Sequence, residues 1–161
     1  MDNAEATLIL SRIDDVLAWF DYAQRDFDIA LHLSKTFRPM PTENICYNSQ
    51  QAIEKSLKGI LILRTGDYRK THDIRELHQM CKEVGVDFGL QPSTTRTLTR
   101  FATKSRYPDE VFDYTDKDAE LGLKFAEQIL TQAKEILAVT KKEAESKENP
   151  DSEVVDNEPQ E

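Results

Sequence analysis

From Leu10 onward, apolar residues return every third or fourth position: Leu10, Ile13, Leu17, Phe20, Phe27 and Leu31, with charged residues between them. This is the period of a helix with one buried face, and it predicts a single long helix over residues 5–36. Pro39 and Pro41 end it, because each lacks a backbone donor and turns its predecessor away from helical angles. Thr42 is the expected N-cap of a second helix over residues 44–63, with Cys46, Ile53, Leu57, Ile60 and Leu61 facing inward. Gly59 lies inside that helix, where it costs about 1 kcal/mol relative to Ala. Thr65-Gly66-Asp67 supplies a turn, and Asp73 begins a short helix carrying Ile74, Leu77, Cys81 and Val84, closed by Gly85. A fourth helix is expected from Ser93 to Ser105, with Leu98 and Phe101 inward and Pro108 barring its continuation. Thr115 with Asp118 opens a last long helix, in which Ala119, Leu123, Ala126, Leu130, Ala133 and Leu137 alternate steps of four and three. The further apolar residues Leu121, Phe125, Ile129 and Ile136 make that stripe the core face of a bundle helix rather than a coiled-coil seam. No strand alternation, glycine-rich phosphate loop or repeat interrupts the pattern, so the fold class is all-α.

Composition bounds the rest. A length of 161 residues, 39% hydrophobic and 32% charged, suits one domain, placed at residues 1–142. Residues 143–161 carry eight acids against Lys147, with Pro150 and Pro159 and little apolar content, so an acidic disordered tail is expected there. That tail holds −7 of the net charge of −9, which leaves the domain at −2 and makes its local patches matter more than its average charge. Cys46 and Cys81 have no CxxC partner, so neither a disulfide scaffold nor a cysteine-rich zinc site is expected, and a reducing, cytoplasmic setting is the default. No long uncharged apolar run or signal-like N-terminus is present, and neither membrane insertion nor secretion is expected.

Three constellations carry candidate chemistry. Tyr47, Gln51, Glu54 and Lys58 fall at steps of four, three and four and share one helical stripe, either as a solvated face or as polar groups satisfying each other between helices. Thr71-His72-Asp73 precedes the third helix, where Asp73 can cap exposed amides and His72 can act structurally or as a base. His72 and His78 are six residues apart and form no i, i+4 metal pair; no metal or cofactor is expected. Arg96, Arg100 and Lys104 are spaced by four, Arg106 follows, and no acid lies between Gln91 and Ser105. Like charges at that spacing repel, so the stripe needs a counter-anion. The chain's own Glu54, Asp109, Glu110 and Asp113 are the first candidates; a nucleotide or RNA phosphate is the other.

Taken together and in order, Trp19 to Asp26, Cys46 to Lys58, Thr71 to Ile74 and Arg106 to Asp109 resemble the HEPN domain, the higher eukaryote and prokaryote nucleotide-binding family, over residues 16–138. The resemblance implies an antiparallel bundle of four main helices plus a short one. It also implies a homodimer, and often a partner of the minimal nucleotidyltransferase (MNT) type in a two-component, toxin–antitoxin-like module. Many members are metal-independent ribonucleases that use an arginine and a histidine separated by four to six residues, before the last long helix. Here no histidine follows Arg96 or Arg100; Arg25 and His32 satisfy the spacing only on the first helix. The expectation is therefore a noncatalytic protein that binds nucleotide or RNA phosphate, or docks a nucleotidyltransferase. Lys55, Lys58, Arg100 and Arg106 would supply positive charge, Gln51 and Glu54 the polar face, and Tyr47 and Tyr107 base stacking. A divergent ribonuclease using His72 with Arg106, or a purely structural dimeric subunit, are the alternatives.

Overall fold

The computed structural model describes residues 1–102 and 113–149. Among them are six helices: α1 (Asn3–Ser11), α2 (Ile13–Thr36), α3 (Thr42–Thr65), α4 (Ile74–Glu83), α5 (Pro92–Arg100) and α6 (Asp116–Glu148). No strand occurs among the described residues, and none of these helices is long and apolar enough to cross a membrane.

The centre of the bundle is α3, which packs against α2, α4 and α6. From Ser49 to Leu63 only Gln51 and Lys55 escape full burial, so this helix is enclosed on nearly every side. Ile45, Ile53, Leu57, Ile60, Leu61 and Leu63 are each at most 1% exposed, and full burial of one such side chain stabilises by about 1.5–3 kcal/mol. Gly59 sits where α2 crosses: a Cβ there would collide with the ring of Phe20. Its lack of a side chain, a weakness in an isolated helix, is what lets Phe20 reach the core.

The single expected helix over residues 5–36 is two. Arg12 interrupts it, with its N–H bonded to the carbonyls of Ile9 and Leu10, and its guanidinium donates to the carbonyl of Leu63 at 3.3 Å. α3 then ends on Gly66, whose φ of 82° suits glycine and whose N–H closes onto Ile62. The buried stripe of α2 is Ile13, Val16, Phe20, Ala23, Phe27 and Ala30; Ile13, Phe20 and Phe27 lie inside as expected, whereas Leu17, expected inside, is 45% exposed. Thr42 is the first residue of α3 rather than its N-cap; Pro41 holds the cap position without a side-chain bond.

Asp73 caps α4 by accepting from the N–H groups of Arg75 and Glu76, and Thr115 and Asp118 form a reciprocal capping box at α6. α5 ends at Arg100, and Phe101 and Ala102 form a turn in place of the expected continuation; the remainder of that expected helix, residues 103–105, lies outside the described residues. α6 passes the expected boundary at residue 142 and stays helical to Glu148. Its far end is covered by α1: Ala6, Ile9 and Ala144 are buried, and Thr7 donates to Glu148 at 2.6 Å. The polar stretch over residues 145–148 is therefore helical where α1 lies against it.

Replacing Gly59 by Ala is expected to destabilise the protein by about 1–3 kcal/mol through overpacking against Phe20, despite the better helix propensity of Ala. Urea denaturation of the variant checks this; unchanged or raised stability would contradict the close α2–α3 contact.

Candidate functional site

Over the two turns that lead up to Gly59, three polar side chains of α3, Gln50, Glu54 and Lys58, sit among core residues. Glu54 and Lys58, each with a side chain only 6% exposed, form an ion pair at 2.7 Å. Gln50 donates to the second carboxylate oxygen of Glu54 at 2.9 Å and accepts from Gln51 at 2.7 Å. These partners follow from the i, i+4 geometry of a helix, which stacks residues 50, 54 and 58 on one line.

The last contact of Glu54 leads to the surface. Nδ1 of His72, in the segment before α4, lies 3.0 and 3.1 Å from the two carboxylate oxygens, while the His72 side chain is 76% exposed. Burial by itself pushes the Glu54 carboxyl up, but hydrogen bonds from Lys58, Gln50 and His72 outweigh it and hold the group below its usual range. Glu54 is thus an anion at neutral pH. An anion can only accept, so Nδ1 carries a proton, and in the neutral ring Nε2 presents its lone pair. Nε2 has no hydrogen-bond partner among the described residues.

The exposed ring borders a shallow depression of about 440 Å³ lined by Tyr47, Gln51, His72, Asp73, Thr99 and Ala102. Asp73 is held below the ordinary carboxylate range: desolvation raises it, but bonds from the α4 amides and Arg75 together lower it further. Arg75 stands 3.1 Å from it, and Thr99 donates to it at 3.3 Å while binding the N–H of Ile74 at 3.0 Å, which ties α5 to the start of α4. Behind Lys58, the ring of Tyr68 lies 5.3 Å from the ammonium and stands edge-on to Trp19 at 4.7 Å. A second depression, about 720 Å³, opens between α4 and α5, where His78 is buried against Asp87 at 3.1 Å.

The expected residues divide as follows. Tyr47, Gln51 and His72 meet at the smaller depression. Glu54 and Lys58 lie beneath it and are spent on each other, so Lys58 is no free cation. Lys55 points elsewhere, paired with Asp26 of α2 and near the ring of Tyr22. Arg96 and Arg100 are exposed on α5 and make no ion pair among the described residues; Glu54, expected among their counter-anions, belongs to Lys58. Arg106 and Tyr107, with Lys104, Asp109 and Glu110, lie outside the described residues. Arg25 stacks on Tyr22 within α2. Asp73, expected as a helix cap, also lines the site, and Gln50, Thr99 and Ala102 join it beyond the residues the sequence points to. For Gln50 a signal existed, its i, i+4 relation to Glu54; Thr99 and Ala102 become neighbours of His72 only through the packing of α5.

Residues 16–137 match the family model of the HEPN domain, and the chain belongs to that family. Two solved structures share the fold. The crystal structure of TT1696 from Thermus thermophilus is 25% identical, covers 74% of this chain and 96% of its own, and superposes with a TM-score of 0.58. ST0689, an archaeal HEPN homologue, is 27% identical, covers 76% of this chain and 97% of its own, with a TM-score of 0.53. No curated protein matches the chain.

Glu54→Ala strands Lys58 in the core and is expected to cost about 3–5 kcal/mol, the usual effect of removing one partner of a buried pair. Because the folded-state carboxyl titrates below its usual range, its stabilising effect is complete above the ordinary glutamate value of about 4.3 and disappears as pH falls through the lower folded value. Urea midpoints measured against pH should therefore drop more steeply in acid for the parent than for Glu54→Gln. Parallel profiles would contradict an ionised, paired Glu54.

Proposed function

We propose that this HEPN-domain protein binds a nucleotide or an RNA segment at the depression beside His72, with phosphate directed to the α5 arginines. One observation carries the reading: Arg96 and Arg100, one helical turn apart and exposed, have no carboxylate partner among the described residues. Like charges so placed repel, and a phosphate that accepts from both relieves the repulsion. Tyr47 borders the same depression and offers an aromatic face to a base. Arg106 and Tyr107 belong to the same proposal by sequence proximity.

Binding without cutting of an RNA strand is the favoured form. Cutting RNA at a 2′ hydroxyl needs one group to take a proton and another to return one to the leaving oxygen. His72 is the only imidazole lining the depression, and Asp73 beside it is held ionised. The proposal extends to assembly with a second copy or a nucleotidyltransferase, supported by the exposed apolar side chains of Leu17, Tyr22 and Ile29 on α2.

Titration with ADP and with a short RNA is expected to give an affinity that falls as salt rises. Arg96→Ala and Arg100→Ala should each weaken it about tenfold and flatten the salt dependence, with the helical spectrum intact and the RNA uncut. Light scattering of the same samples should report a dimer. Absence of binding in the parent, or affinity indifferent to both substitutions, would overturn the reading.

A further inference from the structure

His72 has a feature that ligand binding does not require. A side chain that merely lines a shallow depression needs no buried carboxylate behind it, yet Glu54 is taken out of water and held by Lys58 and Gln50 to meet Nδ1. Burying such a pair gives little stability compared with apolar residues of the same size. What the arrangement does provide is chemical. It fixes the ring in one tautomer with the Nε2 lone pair outward, and it sets an anion against the ring nitrogen that becomes positive when Nε2 forms a bond.

The geometry points to Nε2 of His72 as a nucleophile that accepts a phosphoryl group, with Glu54 as its positioning residue. This rests on the reading that phosphate-bearing ligands enter the depression, and it names what one of them undergoes there. In the step, the Nε2 lone pair forms a bond to phosphorus while the bond from phosphorus to its leaving group breaks, and the leaving group departs with the electron pair of that bond. The ring, still protonated on Nδ1, becomes cationic, and the ionised Glu54 3.0 Å away balances that charge. Asp73, the other acid at the rim, opposes the approach of a phosphate less than a bare carboxylate would, because Arg75 and the α4 amides already compensate it.

The other two histidines serve as internal controls. His32 is exposed on α2, with Thr36 its hydrogen-bonding neighbour and no carboxylate partner among the described residues. His78 is buried, and its Nε2 faces Asp87 at 3.1 Å. Only His72 combines an exposed ring with an anchored Nδ1.

The full chain is incubated with phosphoramidate, a small donor whose phosphorus–nitrogen bond breaks to release ammonia, and each histidine is followed by mass spectrometry of peptides kept at alkaline pH. His72 is expected to gain a phosphoryl group on Nε2 at least about tenfold faster than His32, with His78 unlabelled. Glu54→Gln should bring His72 down to the rate of His32, and His72→Ala should leave only the slow labelling. Equal rates at His72 and His32 in the parent, or a Glu54→Gln protein that folds and labels at the parent rate, would overturn the proposal. Should Glu54→Gln fail to fold, the ratio within the parent decides alone. Labelling needs no nucleotide, so fast labelling with no ADP binding would sink the nucleotide reading and spare this one, and the converse result would do the reverse.

Discussion

Glu54 and Lys58 face each other one turn apart on the helix that every neighbour encloses, and each charge is tolerable in the core only because of the other. Much of the local design follows from that pair. Gln50 must sit one turn earlier to satisfy the remaining carboxylate oxygen, and Gln51 must turn inward to satisfy Gln50. The segment before α4 must pass close enough for His72 to complete the set. On the other side, Tyr68 and then Trp19 cover the ammonium and shield it from water. A line of contacts therefore runs from the exposed imidazole, through the core, to α2.

The fold that holds this line is a bundle in which α3 is sheathed by α2, α4 and α6. Two close approaches make it tight enough: Phe20 over Gly59, and Arg12 against the end of α3 near Gly66. The HEPN family relationship and the likeness to TT1696 and ST0689 agree with that architecture. The chemistry near the surface is a separate matter, since a fold hosts a function without dictating it. Here the relevant parts are few: one anchored histidine, a shallow depression, and two arginines on α5 without carboxylate partners among the described residues.

Much of this was legible in the residues. Periodicity located α3, α4 and α6 closely, and Asp73, Thr115 and Asp118 announced the caps of α4 and α6 because capping is a local matter of side-chain reach. Non-local effects were what escaped. Nothing near Arg12 in sequence says that it will leave its helix to bind Leu63, fifty-one residues on. A polar run from Glu145 gives no hint that α1 will cover it. Tyr47, Gln51, Glu54 and Lys58 shared a stripe as the spacing required, but spacing could not separate the buried pair from the two residues at the rim. Nor could it match His72 to Glu54, because that contact depends on how the turn after α3 folds back.

The state of the His72 ring bears most directly on all of this, and nitrogen-15 NMR of the labelled protein near neutral pH reads it. For the neutral ring, protonation on Nδ1 is expected, with Nε2 showing the shift of an unprotonated ring nitrogen, while His32 averages between tautomers. A His72 that averages as His32 does, or that carries its proton on Nε2, would mean that Glu54 does not hold the ring, and the account built on it would be contradicted.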